Sequence, residues 1–137
     1  MALPQSLLLE VVTPEGLLLE EQVDEVIAPG DDGYFGVLPG HTPMLAGLGT
    51  GEISFRRGAA WSHLTSFGGF SEVLPDKVSI LAEIGERAED IDVGRAEAAL
   101  RQAQERLRVV RAEEGFEEAH DAYVRAVTRL AVARHQR

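Results

Sequence analysis

The first part of the chain alternates between short apolar runs and turn residues, as the strands of an antiparallel sheet do. In "GEISFRRG", Ile53 and Phe55 face one way and the polar residues between them face the other. Similar runs precede and follow this one, and Pro75-Asp76 separates the last two runs as a hairpin turn. Many short strands at this spacing predict an antiparallel β-sandwich or flattened barrel over residues 1–87.

After this region the apolar positions recur at steps of three and four, which is the period of an α-helix. One series occupies residues 96–110 and a second occupies residues 116–130, with "RAEEG" at residues 111–115 as the turn between them. This pattern predicts an antiparallel two-helix hairpin over residues 88–137. Both apolar stripes are narrow and rich in alanine, so the hairpin buries little area and should be only marginally stable alone. We expect the hairpin to be stabilised by contact with the β-domain, a ligand or another protein.

The whole net charge of −10 is carried by residues 1–86. Residues 1–86 hold 13 acidic and three basic residues, whereas residues 87–137 hold ten of each, and all ten of those basic residues are arginine. Such an acidic chain binds nucleic acid poorly, so no nucleic-acid partner is expected. Arginine binds carboxylates and phosphates through paired hydrogen bonds, which points to anionic contacts, although a GC-rich genome would favour the same residue.

The residue groups that catalysis needs are missing from the sequence. The glycines of "GLGTG" are not followed by the Lys-Ser/Thr of a phosphate-binding loop, so the segment is interpreted as a turn. The four histidines lack metal-ligand spacing and the chain has no cysteine, so no metal site is predicted. Ser62 and His63 are adjacent on a predicted strand and point to opposite faces, which excludes a nucleophile–base pair. We expect no membrane-spanning segment, because no apolar stretch is long enough to cross a bilayer. We also expect no signal peptide, because the first residues carry Glu10 and Glu15 and no basic region.

A helix start is predicted at Ile91-Asp92, with Asp92 as the N-cap residue. A capping box would place Glu or Gln three residues later, but this chain has Arg95 there, a cation at the positive end of the helix dipole. Gly94, which forms helices poorly, precedes it. An anion or a carboxylate near this helix start would explain the choice of Arg95.

Residues 33–53, "GYFGVLPGHTPMLAGLGTGEI", carry the most specific pattern in the chain. The order of glycines, Leu-Pro-Gly-His, proline and leucine closely resembles the epsilon subunit of F-type ATP synthases. "VVTPEG", "GGFSEVLPDKVSILAE" and "DIDVGRAEAAL" resemble other segments of that family in the same order. The resemblance covers essentially the whole chain, and the sandwich and hairpin that it implies agree with the apolar pattern.

The resemblance implies a non-catalytic subunit of the central rotor stalk, peripheral to the cytoplasmic face of the bacterial plasma membrane, in a machine that couples proton transport to ATP synthesis. The β-domain would contact the gamma subunit and the c-ring, with Pro39, Gly40 and His41 close to those contacts. One position that is acidic in some members of the family is Tyr34 here. The neighbouring Asp31-Asp32 pair is a candidate to replace that acidic residue.

For the hairpin, the resemblance implies a regulatory element that either folds down on the sandwich or extends toward the alpha and beta subunits, where it inhibits ATP hydrolysis. The arginines that would meet an acidic loop of the beta subunit are Arg106, Arg108, Arg111, Arg125 and Arg129. Marginal packing suits such a switch, because a bistable element needs two arrangements that differ by only a few kcal/mol.

Some bacterial members of the family bind ATP in the folded-down hairpin without hydrolysing it. The residues that match their pattern in this chain are Glu86, Asp92, Arg95, Ala96, Arg125 and Arg129. One further arginine of that pattern is Gln102 here, which implies weaker binding. Arg101 is adjacent but points about 100° away on a helix. ATP is therefore the expected ligand, bound for regulation and without an essential Mg²⁺.

Hairpin geometry supports the same cluster independently of the resemblance. If the turn centres near residues 112–113, Arg125 and Arg129 lie opposite the first turns of the other helix, beside Arg95. Converging guanidinium groups repel one another unless an anion lies between them. The alternative is that the arginines form internal ion pairs with neighbouring carboxylates.

Two other interpretations of the whole chain stay open at this point. One is a β-sandwich adaptor that docks an unrelated partner through its helical hairpin, and the other is a small hydrolase. The pattern of residues 33–53 argues against the adaptor. The missing nucleophile–base and metal spacings argue against the hydrolase.

Overall fold

The computed structural model describes residues 3–109 and 115–136, without the side chain of Gln136. Arg111 and the rest of the predicted turn before Gly115 lie outside the described residues. The chain divides into two compact units, which we call the β-unit (residues 1–87) and the helical unit (residues 88–137). None of the described helices has the length and apolarity that a bilayer crossing requires.

The β-unit contains eight strands and the helical unit contains two α-helices with a short 3-10 helix at each end. The elements in chain order are β1 (Leu7–Thr13), β2 (Gly16–Val23), β3 (Glu25–Gly30), β4 (Gly33–Val37), β5 (Met44–Gly47), β6 (Thr50–Arg57), β7 (Ala60–Leu74), β8 (Lys77–Arg87), a 3-10 helix (Ala88–Asp90), α1 (Val93–Val109), α2 (Phe116–Ala133) and a second 3-10 helix (Arg134–Gln136).

The strands hydrogen-bond in the order β2-β1-β8-β7-β6-β3-β4, and β5 pairs with β7. The described pairs are antiparallel except β1 with β8, which is parallel. The predicted antiparallel sandwich followed by helices is confirmed, and the parallel pair is an addition that the sequence pattern did not indicate. A parallel pair requires a long crossover, and here all of the chain between β1 and β8 supplies it.

The apolar runs "AWSHLTSF" and "GGFSEVLPD" belong to one strand, because β7 is continuous over 15 residues. Its first part pairs with β6 and its last part with β5, and two glycines with positive φ, Gly68 and Gly69, lie between the two parts. Gly69 has a φ of 105°, and a side chain there would collide with the carbonyl oxygen of Leu81. The backbone N–H of Leu48 donates to the Gly69 carbonyl oxygen at 2.9 Å. The glycines therefore let one strand serve both layers of the sandwich.

Alternate positions on the strands fill the core of the β-unit. Ile53 and Phe55, which the sequence pattern placed on one face, are both buried. The same alternation buries Val78, Ile80 and Ala82 on β8. On β6 and β8 the residues between these buried positions project from the opposite face of the strand.

In the helical unit, the buried residues of the seam between α1 and α2 are alanines spaced by seven residues. They are Ala96 and Ala103 on α1, and Ala119, Ala126 and Ala133 on α2. Seven residues are close to two helical turns, so each set lies along one line of its helix. A methyl side chain is small, so the helices approach closely but bury little area.

At its base the hairpin is closed by a small apolar cluster of Ala88, Ile91, Val132 and Ala133, with Val93 packed against it. These residues come from the first 3-10 helix, the start of α1 and the end of α2. Apolar side chains larger than alanine are thus buried beside the helix start that the sequence singled out.

Candidate functional site

Asp92 is the N-cap of α1, as the sequence predicted. Its Oδ1 accepts a hydrogen bond from the backbone N–H of Arg95 at 3.0 Å, and its carbonyl oxygen accepts one from Ala96 at 3.0 Å. The Arg95 side chain is exposed, and Ala96 behind it is buried in the seam. Asp92 therefore fixes the helix start and turns Arg95 away from the helix pair.

The buried alanines show which way the other side chains point. Arg95, Gln102 and Arg125 each come one residue before a buried alanine, so each is rotated by about 100° from the seam in the same sense. Arg129 comes three residues after Ala126. Three residues turn the helix by about 300°, which is equivalent to about 60° in the same sense as the three residues above. Two antiparallel helices are related by a twofold axis normal to their common plane, so equal rotations lie on the same side. We call this side of the hairpin, with Arg95, Arg125 and Arg129, the cationic side.

An ion pair gives the register along the hairpin. Nη2 of Arg106 on α1 lies 4.0 Å from Oε2 of Glu118 on α2. Eleven residues back from Arg106 is Arg95, and eleven residues forward from Glu118 is Arg129. Arg95 and Arg129 therefore lie at the same level, and Arg125 lies about one turn from them. The register agrees with the arginine cluster that the sequence geometry predicted.

On the opposite side of the hairpin lies an open groove of about 640 Å³. It is lined by Arg101, Gln104, Glu105, Leu107, Arg108 and Tyr123. Arg101 therefore faces away from the cationic side and does not take the place of the arginine that Gln102 replaces. Gln102 leaves one position of the cationic side neutral.

Within the described residues, the side chains of Arg95 and Arg125 make no hydrogen bond or ion pair. Arg95 is exposed and Arg125 is half-buried. Like charges on one side repel one another, and the start of α1 adds the positive end of a helix dipole. The arrangement is chemically suited to a phosphate or another polyanion, for which guanidinium groups and free N–H groups are good donors.

Glu86, the sixth predicted ligand residue, belongs to the β-unit, near the end of β8. Its backbone N–H donates to Oγ1 of the buried Thr65 at 2.9 Å, which fixes the end of the strand. The other five predicted residues lie in the helical unit. The ligand role of all six stays a prediction.

Residues 33–53 and the neighbouring Asp31-Asp32 pair, which the family resemblance singled out, lie near both ends of β5. Gly40 donates its N–H to the carbonyl oxygen of Pro75 at 2.7 Å, beside the β7–β8 turn. Asp31 donates its N–H to the carbonyl oxygen of Gly47 at 2.9 Å, at the other end. Tyr34 is exposed, and its hydroxyl accepts the N–H of Glu52 at 3.1 Å. The Pro39–His41 turn and the Asp31-Asp32 turn are thus separate surfaces.

Sequence reasoning missed a polar cluster between β6 and β7. Nδ1 of His63 lies 2.6 Å from Oε1 of Glu52 and 2.9 Å from Oγ of Ser54, its cross-strand partner. A catalytic relay needs the base to use one ring nitrogen for each neighbour, whereas here both neighbours share Nδ1. Counting outward from the Gly58 turn would have found the Ser54–His63 pair, which fastens the two strands.

Comparison with known proteins connects both units to one family. Residues 6–88 match the family described as ATP synthase, Delta/Epsilon chain, beta-sandwich domain, and residues 89–134 match ATP synthase, Delta/Epsilon chain, long alpha-helix domain. The ATP synthase epsilon chain of Syntrophobacter fumaroxidans is 49% identical over 91% of this chain and 93% of its own length. That of Solibacter usitatus is 47% identical over 96% and 98%, respectively.

Solved structures support the fold alone. A chain of the Euglena gracilis mitochondrial ATP synthase, in a structure with OSCP, F1 and the c-ring, matches with a TM-score of 0.84 and 22% identity. The match covers 96% of this chain and 83% of that one. A chain from the central stalk and c-ring of the Tetrahymena thermophila enzyme matches with a TM-score of 0.58 and 13% identity over 98% of both chains.

Proposed function

Because this chain belongs to the ATP synthase delta/epsilon family, as a non-catalytic epsilon chain, we propose that it joins the central stalk to the c-ring and restrains ATP hydrolysis through its hairpin. Its partners are the gamma subunit and the c-ring, through the β-unit, and the alpha and beta subunits, through the extended hairpin. It acts as a peripheral component at the cytoplasmic face of the bacterial plasma membrane. The family match over both units carries this proposal.

The inhibitory role of the hairpin is supported by its alanine seam. Alanine contacts cost little to break, so the two helices can exchange their mutual contacts for contacts with other subunits. Deletion of residues 88–137 from a reconstituted F1 complex should leave assembly intact and raise ATP hydrolysis. Unchanged hydrolysis in the truncated complex would remove the inhibitory role and leave the stalk role standing.

The folded hairpin also binds ATP as a regulatory ligand, with its phosphates at the cationic side. The observation that supports this site is the convergence of Arg95, Arg125 and Arg129 on one side and near one level of the hairpin. Asp92 and Glu86 are the candidates for hydrogen bonds to the base and ribose. No metal ligand is needed, because guanidinium groups balance the phosphate charge.

Calorimetric titration of the purified chain with ATP tests this site. We expect binding in the presence and absence of a Mg²⁺ chelator. Arg95→Ala and Arg125→Ala should each weaken binding by about tenfold or more, because each removes a charged hydrogen-bond donor. Arg101→Ala is the matched control, since it removes an arginine from the opposite side of the same hairpin. An absence of heat at millimolar ATP, or equal losses in all three variants, would contradict the site.

Gln102 offers a test in the opposite direction. Gln102→Arg adds a guanidinium to the cationic side and should tighten ATP binding by about tenfold. Gln104→Arg, which adds the same charge on the groove side, should leave the affinity nearly unchanged. Equal gains from both variants would show that net charge, not a defined site, attracts the nucleotide.

A further inference from the structure

The last residues of β8 lose one of their two neighbouring strands before the chain leaves the β-unit. The parallel ladder with β1 ends at Leu81, whereas the antiparallel ladder with β7 continues to Arg87. Among the described strands, β7 alone pairs with the part of β8 beyond Leu81. The β-unit ends at Arg87, and the 3-10 helix Ala88–Asp90 follows directly. A strand end that is paired on one side frays unless other contacts hold it.

The guanidinium group of Arg87 takes the place of the missing neighbour. Its Nη2 donates to the carbonyl oxygen of Leu18 on β2 at 2.9 Å, in a partly buried position. A register shift leaves Leu18 without a partner in the β1–β2 ladder, because Val11 pairs with Leu19 and Val12 pairs with Leu17. Leu18 therefore offers its carbonyl oxygen to a side chain, and a charged donor makes a stronger hydrogen bond than a neutral one.

Two further contacts hold the residues immediately before Arg87. The backbone N–H of Glu86 donates to Oγ1 of the buried Thr65 at 2.9 Å. Gly85 lies against the side chain of Leu18, since a Cβ at residue 85 would come within 3.2 Å of Cδ2 of Leu18. Three successive residues at the end of β8 thus each have a contact of their own. We call the five residues Leu18, Thr65, Gly85, Glu86 and Arg87 the exit clamp.

We propose that the exit clamp fixes the pivot of the helical hairpin, because it keeps β8 ordered up to Arg87 and confines the hairpin's change of position to residues 88–92. This inference rests on the proposed function, in which the hairpin exchanges one set of contacts for another. Hinges are a few residues at the ends of elements that absorb the backbone rotation. Residues 88–92 fit this description, since they consist of a single-turn 3-10 helix and the residues before α1.

The length of the pivot affects how strongly the hairpin inhibits ATP hydrolysis. Without the exit clamp, the flexible connection would extend back from Ala88 to Gly85. The effective concentration of a tethered element falls roughly as the −3/2 power of the tether length. Extending the tether from residues 88–92 to residues 85–92 therefore lowers the effective concentration of the hairpin at its inhibitory position by about twofold.

Amide hydrogen exchange of the full-length chain tests the exit clamp. Arg87→Ala should accelerate exchange at residues 85–87 by at least about tenfold, because it removes a charged hydrogen-bond donor. Exchange at Val78 and Ile80, in the first part of the same strand, should stay unchanged. Arg87→Lys keeps a charged donor and should restore part of the protection. Gly85→Ala should accelerate the same amides by a second route, since the added Cβ displaces the Leu18 side chain.

Arg57→Ala is the matched control for the exchange experiment. Arg57 also ends a strand and also reaches β2, with Nη1 2.9 Å from Oε1 of Glu21, but it belongs to β6 and the ion pair is exposed. This variant should leave residues 85–87 as protected as in the wild type. Unchanged exchange in Arg87→Ala, or equal acceleration in Arg57→Ala, would overturn the exit clamp. Acceleration throughout β7 and β8 would also overturn it, since Arg87 would then support the whole sandwich.

ATP hydrolysis by a reconstituted F1 complex tests the regulatory part of the proposal. We expect deletion of residues 88–137 to abolish inhibition and Arg87→Ala to lower the ratio of inhibited to active complexes by about twofold. If the truncated complex hydrolyses ATP at the wild-type rate, the inhibitory role is wrong and this inference fails with it. If truncation raises hydrolysis and Arg87→Ala inhibits as strongly as the wild type, the exit clamp does not control the hairpin and the proposed function stands.

Discussion

The side chains that fill the cores of the two units differ greatly in size. In the β-unit, Leu7, Ile53 and Ile80 are among the large side chains that are completely buried. In the described part of the helical unit the seam is lined by alanines, and the large side chain that is completely buried is Val132, at the base. Burial of a leucine or isoleucine contributes about 1.5–3 kcal/mol, whereas each methyl-sized group contributes about 0.8 kcal/mol.

This difference in packing fits the two roles that we propose for the units. A sandwich closed by interlocking large side chains holds its surface in one arrangement, which suits a fixed contact in a rotating assembly. A hairpin closed by methyl groups loses little when its helices part, which suits an element that changes partners. The same contrast predicts that equal chemical changes have unequal consequences in the two units.

The largest effect is expected from Ile80→Ala in the β-unit core. It removes three carbon atoms from a fully buried site and should lower the free energy of unfolding by about 2–5 kcal/mol. Urea unfolding of the full-length chain measures this loss. Ser79→Ala, at the neighbouring outward position, is the control and should change the stability by less than about 0.5 kcal/mol. Equal losses would mean that the core is not what holds the sandwich.

A smaller effect is expected from Ala103→Leu in the seam. Ala103 is buried between the helices, so a larger side chain must push them apart at a cost of about 1–3 kcal/mol to the hairpin alone. Amide hydrogen exchange should speed up in α1 and α2 and stay unchanged in β7 and β8. Glu97→Leu adds the same side chain at an exposed site of α1 and should leave exchange unaffected. Faster exchange in the strands would contradict this prediction.

The next smaller effect on stability is expected from loss of the helix cap. Asp92→Ala removes the acceptor for the Arg95 N–H and should destabilise the start of α1 by about 1 kcal/mol. Asp92→Asn keeps an oxygen acceptor and should retain most of that stability. Hydrogen exchange at the Arg95 and Ala96 amides reports on this first turn. If the Ala and Asn variants behave alike, the cap bond contributes nothing measurable.

The elements that local sequence determines were the ones that could be predicted. The alternation around Ile53 predicted its buried face, the steps of three and four predicted two helices with alanine-rich stripes, and Asp92 was recognised as an N-cap from its position alone. Helix geometry also placed Arg101 away from Gln102, since neighbouring residues on a helix differ by about 100°. Each of these inferences depends on residues within a few positions of one another.

What the sequence did not reveal depends on pairing between distant segments. β7 is a single strand that pairs with β6 before Gly68 and with β5 after Gly69, and neither partner can be read from the residues of β7 themselves. The hydrogen bond from the Glu52 N–H to the Tyr34 hydroxyl likewise joins residues that are distant in the sequence. The ligand residues were named from family resemblance and supported by hairpin geometry, so their chemistry is still to be measured.

The smallest effect, and the one that best separates stability from ligand binding, is expected from Gly94→Ala. Glycine costs about 0.5–1 kcal/mol relative to alanine in a helix, and a Cβ at residue 94 would come no closer than 3.7 Å to Oδ1 of Asp92. The variant should therefore slow hydrogen exchange in the first turn of α1. If the phosphates of ATP approach the free N–H groups of this turn, the added methyl group crowds them and the calorimetric affinity falls while helix stability rises.

Glu97→Ala is the matched control for this variant, because it places an alanine at an exposed site one turn further along α1 without touching the helix start. It should leave ATP affinity unchanged. A Gly94→Ala chain that is more stable and binds ATP as tightly as wild type would mean that the glycine is not retained for ligand approach. Opposite shifts in stability and affinity would show that the start of α1 is less stable than it could be because it binds a ligand. The β-unit core, which is filled by large side chains, shows no such compromise.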